Sequence, residues 1–205
     1  MRKIVIVGGG AFGRELLSWT IAAGAGELAG YVDDAGPAMD GYAGIDLLYL
    51  GSVASFDPAG LLLAIAVGDP KKKRQLADAL AGRGAQFLTL VHPSAIVTSD
   101  AVLDEGAVVG PLTYVATNSR IGRLASVNSL CGIGHDVRIG AYSTISSQVD
   151  VTGGVQLGEA VFVGSGARIL PGLKIGAQAR IGAGSVVTRH AKDGQTLFAP
   201  PARTL

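Results

Sequence analysis

The chain has 205 residues and a net charge of +1; 48% are hydrophobic, only 16% are charged, and 31 are glycine. Glycine is about twice its ordinary share, yet so apolar a composition excludes a disordered linker, and glycine without a three-residue period excludes collagen. The balanced charge offers no footprint for nucleic acid, and the longest apolar run, residues 61–67, falls far short of the roughly 20 residues of a membrane span.

Lys3 to Val7 reads as a strand buried on both faces, and Gly8-Gly9-Gly10-Ala11-Phe12-Gly13 as the turn after it. Arg14 to Ala23, with Leu16, Leu17, Trp19, Thr20 and Ile21, has helical spacing. A second strand ends at Tyr31-Val32 before Asp33-Asp34, and a third, 61–67, ends at Gly68-Asp69. Lys71 to Gly82 is a helix with Leu76, Ala79 and Leu80 on one side, its basic start Lys71 to Arg74 expected to be solvated. This order predicts a parallel α/β unit over residues 1–90. A glycine turn between strand and helix can cradle a phosphate. It also suggests a nicotinamide cofactor, but about 90 residues are too few for a six-stranded dinucleotide fold. The apolar stretch after Met1-Arg2-Lys3 is too short for a signal peptide, and the single Cys131 reads as a small buried residue in a reducing cytoplasm.

From residue 97 the grammar changes. Val97, Leu103, Val109, Val115, Ile121, Val127, Ile133, Ile139, Ile145, Val151, Leu157, Val163, Ile169, Ile175, Ile181 and Val187 follow one another at intervals of six. No helix keeps such a stripe on one side. Three six-residue units instead make an 18-residue triangular coil with the aliphatic residue pointing inward, about five coils in all. Glycine follows the aliphatic residue at eight of the 16 positions and is expected to supply positive φ or tight geometry at the corners. Small residues such as Ala107, Thr113, Cys131 and Ser143 sit two places earlier. The ends of the stack need covering, by the N-terminal unit on one side and by the tail, 189–205, on the other. Flat faces of small and apolar residues suggest self-association.

The stripe contains one histidine, His135, two residues after an inward Ile133 and just before Asp136. It therefore projects from a corner or face. A near-neutral imidazole there can act as a general base, with the carboxylate orienting it.

The repeated aliphatic-glycine hexapeptide resembles the hexapeptide-repeat acyltransferases, whose fold is a left-handed parallel β-helix. Nearly the whole chain is similar to the sialic-acid O-acetyltransferase and nucleotide-amino-sugar N-acetyltransferase family. The matching segments are Gly8 to Arg14, Tyr31 to Asp34, Ile65 to Lys71, His92-Pro93, Val127-Asn128 with His135-Asp136, Gly184 to Val187, and Pro201-Ala202-Arg203. The resemblance implies a Rossmann-like acceptor domain, 1–90, and a β-helix acyltransferase domain with a C-terminal cap, 91–205. It implies acetyl transfer from acetyl-CoA to an amino or hydroxyl group of a nucleotide-linked sugar in bacterial surface-glycan synthesis. His135 would be the base, Asp136 its partner and Asn128 a neighbour of the site. Gly10, Phe12, Gly13, Asp33, Asp34 and Gly68 would bind the acceptor. Thr144, Ser165 and Ala183 would line the CoA groove between copies of a cytoplasmic homotrimer, with Arg168, Lys174, Arg180 and Arg189 available to its phosphates and no metal. Three positions depart from the family pattern: Gly134 replaces its glutamate, Thr144 its second histidine, and Phe12 a frequent histidine. A non-catalytic sugar-nucleotide-binding or scaffold protein is the alternative.

Overall fold

The structure, a computed structural model, describes residues 3–39, 44 and 46–200. The first apolar run forms β1 (Ile4–Val7), buried throughout. Helix α1 (Ala11–Ala22) begins inside the glycine turn, with Gly10 as its uncapped N-cap. Strands β2 (Leu28–Val32) and β3 (Leu62–Ile65) follow. Helix α2 (Pro70–Ala81) is started by Pro70 and by the Asp69 carboxylate, which accepts the Lys72 N–H at 3.0 Å. Strand β4 (Gln86–Phe87), too short to leave a sequence signal, completes a parallel sheet of order β2-β1-β3-β4.

The chain leaves β1 toward one edge of this sheet and β3 toward the other, so right-handed crossovers place the helices on opposite faces. Accordingly Leu16, Leu17 and Trp19 of α1 pack with Ile4 and Ile6, whereas Ala77 and Leu80 of α2 pack with Val5, Val7, Leu63 and Ile65. The topological switch lies between β1 and β3. Residues 8–10, 33–34 and 66–69 leave the carboxyl ends of β1, β2 and β3, where open α/β sheets bind ligands.

The remainder is a parallel β-helix. Each of the 16 stripe residues is the second residue of a two-residue strand. Three faces result: a docking face from Leu90–Val91 to Thr196–Leu197, a second face from Ile96–Val97 to Val186–Val187, and a third from Val102–Leu103 to Lys174–Ile175. Residue i pairs with i+18, as in Val109↔Val127 and Ile133↔Val151. The stack reaches six coils rather than five, because Val91 precedes the stripe and Leu197 ends it. After Val187 the ladder offset shortens to 16, in Ile175↔Ala191 and Ile181↔Leu197, which hides the last strand from a six-residue count. Residues 201–205, with the Pro201-Ala202-Arg203 match, lie outside the described residues.

Three expectations change. The glycines after the stripe take the tight-geometry role and do not supply positive φ. That conformation falls three residues after the stripe, at every sixth residue from 106 to 184, and nine of these fourteen positions are not glycine. The stripe glycines answer instead to close stacking: a Cβ on Gly134 would stand 2.6 Å from Gly153 N, and one on Gly158 2.6 Å from Ala177 N. Second, Lys73 is not solvated. It is 1% exposed, and its ammonium bonds Ser126 Oγ, Thr144 Oγ1 and the Ser143 carbonyl on the docking face. Third, the N-terminal unit lies along that face rather than over the first coil, whose inward Val91, Val97 and Leu103 stay partly exposed. Side docking buries apolar surface: Trp19 clusters with Leu90 and Val108, and Phe87 with Leu124.

Candidate active site

His135 follows the strand Gly132–Ile133 at the corner between the second and third faces, the corner opposite the docking face. Asp136 takes the left-handed corner position, φ 60°. That conformation turns its carboxylate back to the ring: Asp136 Oδ2 lies 2.7 Å from His135 Nδ1. Both side chains are more than half exposed. The hydrogen bond from His135, then one from Asn118, holds the Asp136 carboxyl below its usual range. With Nδ1 engaged by a carboxylate, Nε2 is the ring nitrogen left to accept a proton.

The ring rests on Gly153 of the next coil. A Cβ there would come within 2.5 Å of His135 Nε2 and 2.7 Å of Cε1. The sequence reading missed Gly153 and Asn118. Both stand one coil from the dyad, Gly153 eighteen residues after His135 and Asn118 eighteen before Asp136, so the coil length itself was the signal.

Asn128 sits at a different corner, between the docking and second faces. Its carbonyl accepts from Thr113 Oγ1 at 2.7 Å, and its Oδ1 is buried without a partner among the described residues. Asn128 and Trp19 both crowd Gly110, so α1 packs against this corner. Ser165 and Ala183 stand in the same corner column, one coil apart and exposed, with the Ser165 carbonyl accepting the Gly184 N–H at 2.8 Å. Above them a cavity of about 470 Å³ opens among Gly184–Arg189 and Leu197–Pro200. Of the four expected cations, Arg189 alone lines this cavity. Arg168 and Lys174 project from the second and third faces, and Arg180 pairs with Asp69 and covers the Phe162 ring.

The acceptor residues gather at the carboxyl ends of the N-terminal sheet. Asp33 Oδ2 accepts the Gly9 N–H at 2.6 Å and Oδ1 that of Ala35 at 2.7 Å, while Asp34 Oδ1 accepts from Val53 N at 2.8 Å. Both carboxylates therefore shape the crevice. Gly13 is pressed against the Gly8 carbonyl, whereas Gly10 and Gly68 face open space. Phe12 packs edge-on against Trp19, ring centroids 5.9 Å apart. Among the described residues no cluster of three or more His, Cys, Asp or Glu could hold a metal, and no helix is long and apolar enough to cross a membrane.

The PglD N-terminal domain matches residues 3–80, and the bacterial transferase hexapeptide (six repeats) matches residues 154–189. PerB from Caulobacter crescentus, solved with CoA and GDP-perosamine, superposes with a TM-score of 0.87 at 31% identity, over 99% of this chain and 97% of that one, and a mutant of the perosamine N-acetyltransferase of Caulobacter crescentus with a TM-score of 0.88 at 30%, over 99% and 96%. The chain belongs to the hexapeptide-repeat nucleotide-amino-sugar acetyltransferase family. UDP-N-acetylbacillosamine N-acetyltransferase of Bacillus subtilis (strain 168) is 34% identical over 113 residues, 53% of this chain. GDP-perosamine N-acetyltransferase of Escherichia coli O157:H7 is 29% identical over 59 residues, 29% of this chain. The matched segments span about half the length of the first curated relative and 27% of the second. WeeI from Acinetobacter baumannii, at 24% identity and a TM-score of 0.83, shares the fold.

The Rossmann-like unit and the left-handed β-helix of this acetyltransferase family are thus both present. Two of the departures from its pattern have local causes. At Gly134 the backbone of Thr152 and Gly153 occupies the space a side chain would need. Thr144 is buried on the docking face with its hydroxyl taken by Lys73, so the structure does not bring it to His135.

Proposed function

We propose that this chain transfers the acetyl group of acetyl-CoA to the amino group of a nucleotide-linked amino sugar, in the cytoplasm, as a step in bacterial surface-glycan synthesis. The observation that carries this reading is the full-length likeness to an enzyme whose structures hold CoA and GDP-perosamine, joined to a His-Asp pair with a free imidazole nitrogen. Residues 1–90 are the acceptor domain and 91–205 the acyltransferase domain. The acceptor lies at Gly10, Phe12, Gly13, Asp33, Asp34 and Gly68, its phosphates against the first amides of α1. CoA lies along the corner of Ser165 and Ala183, near the buried Asn128 Oδ1.

In the reaction His135 Nε2 takes a proton from the acceptor amine as its nitrogen bonds the thioester carbonyl carbon. Asp136 stabilises the imidazolium that forms. The tetrahedral intermediate collapses with loss of the C–S bond, and the proton passes to the leaving CoA thiolate.

The acceptor crevice belongs to the N-terminal unit packed on the docking face, Ser165 and Ala183 stand on a corner bordering that face, and His135 stands on the corner opposite. These three places lie on different sides of one copy, so the complete site is assigned to the groove between copies of a homotrimer. The exposed Ile96, Leu112, Tyr114, Leu130 and Val186, on the second face and its leading corner, supply apolar contact for it. The test is release of free CoA from acetyl-CoA with GDP-perosamine and with a UDP-linked 4-amino sugar, alongside the mass by sedimentation equilibrium. Turnover and a three-subunit mass are expected. Binding of nucleotide sugar without CoA binding or turnover would favour the non-catalytic reading, and a one-subunit mass would remove the shared site.

A further inference from the structure

The corner that carries His135 is a ladder with an interval of eighteen residues, and Asn118, Asp136 and Gly154 take its left-handed positions. Stacking brings Asn118 beside the dyad. Its Nδ2 donates to Asp136 Oδ1 at 2.6 Å, while Asp136 Oδ2 meets His135 Nδ1 at 2.7 Å. The two oxygens of one carboxylate are thereby divided between two partners.

The Asn118 amide is itself oriented from the other side. Arg138 Nη2 lies 3.4 Å from Asn118 Oδ1, and Arg138 Nη1 donates to the Asn118 carbonyl. A guanidinium only donates, so the amide oxygen faces Arg138 and the NH2 group faces Asp136. Below, Asp100 Oδ2 accepts the Asn118 N–H at 3.0 Å and is also bonded by the Thr117 hydroxyl. Asparagine tolerates the left-handed φ of 51° that the corner imposes better than most residues do.

We infer that Asn118 is the positioning residue of the His135–Asp136 pair: it holds Asp136 Oδ1 so that Oδ2 faces Nδ1, which fixes the Nδ1–H tautomer and leaves Nε2 unprotonated. The physical need is clear. Asp136 is half exposed, so water competes for both oxygens and the carboxylate would otherwise turn away from the ring. The position of its amide, set by Arg138 and Asp100, makes Asn118 more than a corner residue. The effect on rate rests on the acetyl-transfer reading; the effect on the tautomer does not.

Two variants test it. Asn118→Gly keeps the left-handed backbone at least as well and deletes the amide. Asn118→Asp keeps the shape and replaces the donor by a second carboxylate. With acetyl-CoA and GDP-perosamine, or the UDP-linked 4-amino sugar where that is the acceptor, Asn118→Gly should lower kcat about tenfold, the worth of one charge-assisted hydrogen bond. KM for acetyl-CoA should stay within about twofold, because the groove residues are untouched. Asn118→Asp, whose ionised carboxylate cannot donate to Asp136 Oδ1, should lose kcat as Asn118→Gly does.

Long-range 15N–1H correlation spectra of His135 give a readout without turnover. The wild-type neutral ring should be the Nδ1–H tautomer, and Asn118→Gly should shift it toward Nε2–H. A glycine variant with unchanged kcat and tautomer overturns the inference. Should the wild type transfer no acetyl group, the acetyl-transfer reading fails while the tautomer measurement still decides the role of Asn118.

Discussion

Lys73 gives the sharpest test of how the two units are joined. Its ammonium lies in the seam between α2 and the docking face, 2.9 Å from Ser126 Oγ, 2.9 Å from Thr144 Oγ1 and 3.1 Å from the Ser143 carbonyl. Burial pushes its pKa down from 10.5 to about 7, against the weaker upward pull of Asp69. In the unfolded chain the group titrates near 10.5. Below about pH 7 both states carry the proton, so the burial penalty is present in full and does not vary. Between about 7 and 10.5 the unfolded state holds more protons than the folded one, and stability rises with pH. At about 1.4 kcal/mol per unit, the gain across the window is on the order of 5 kcal/mol. Lys73→Met removes the titration and keeps the volume. The Ser126 and Thr144 hydroxyls, 3.4 Å apart, can then bond each other, and the Ser143 carbonyl keeps the Ser126 N–H. Reversible urea denaturation of both proteins at one concentration, from about pH 6 to about pH 10, cancels every other titrating group in the difference. The wild type should gain several kcal/mol on the variant as pH rises, and the variant should be at least as stable at the acid end. Parallel curves would refute a buried, ionisable Lys73.

Other outcomes follow from the site. His135→Ala should lower kcat by about 10²–10⁴-fold, the range for a lost general base, and leave acetyl-CoA binding by calorimetry unchanged; wild-type turnover would remove the residue from the mechanism. Gly153→Ala drives a methyl to within 2.5 Å of His135 Nε2, so kcat should fall by about tenfold or more while the melting temperature moves little, Gly153 not having positive φ. Retained activity would show that the ring does not use this seat. Burial pushes the Cys131 thiol up to about 11, so a thiol reagent at neutral pH should label the folded chain only at its unfolding rate; prompt labelling would contradict the buried position.

The β-helix was legible because one residue class answers one geometric demand. Val, Leu or Ile must fill the interior of every strand, and nothing else in the chain competes for those positions. His135 stood out for the same reason, as an imidazole in a segment otherwise devoted to stacking. Glycine left two roles open because it answers two demands that look alike in sequence. At Gly154 and Gly166 it supplies positive φ, but at Gly134 and Gly158 it makes room for the next coil. The left-handed corners accept leucine at 112, 124 and 130, so composition cannot mark them. Each such corner costs about 1–2 kcal/mol, which the regular ladders on either side must offset.

What stayed hidden is what depends on one unit meeting another. Lys73 stands among Lys71, Lys72 and Arg74, and by local pattern all four belong to a solvated helix start. Only the docking face, 53 to 71 residues away in sequence, distinguishes it, by offering Ser126 and Thr144 hydroxyls to its ammonium. Thr144 shows the complementary effect. Read along the chain it lies nine residues from His135, which suggests one site. In an 18-residue coil nine residues is half a circuit, so the side chain emerges from the docking face while His135 occupies the corner opposite. Sequence neighbours within a coil diverge, and residues a full coil apart converge. His135 with Gly153, and Asp136 with Asn118, are the pairs that this rule brings together, and they are the contacts on which the tautomer and seat of the imidazole depend.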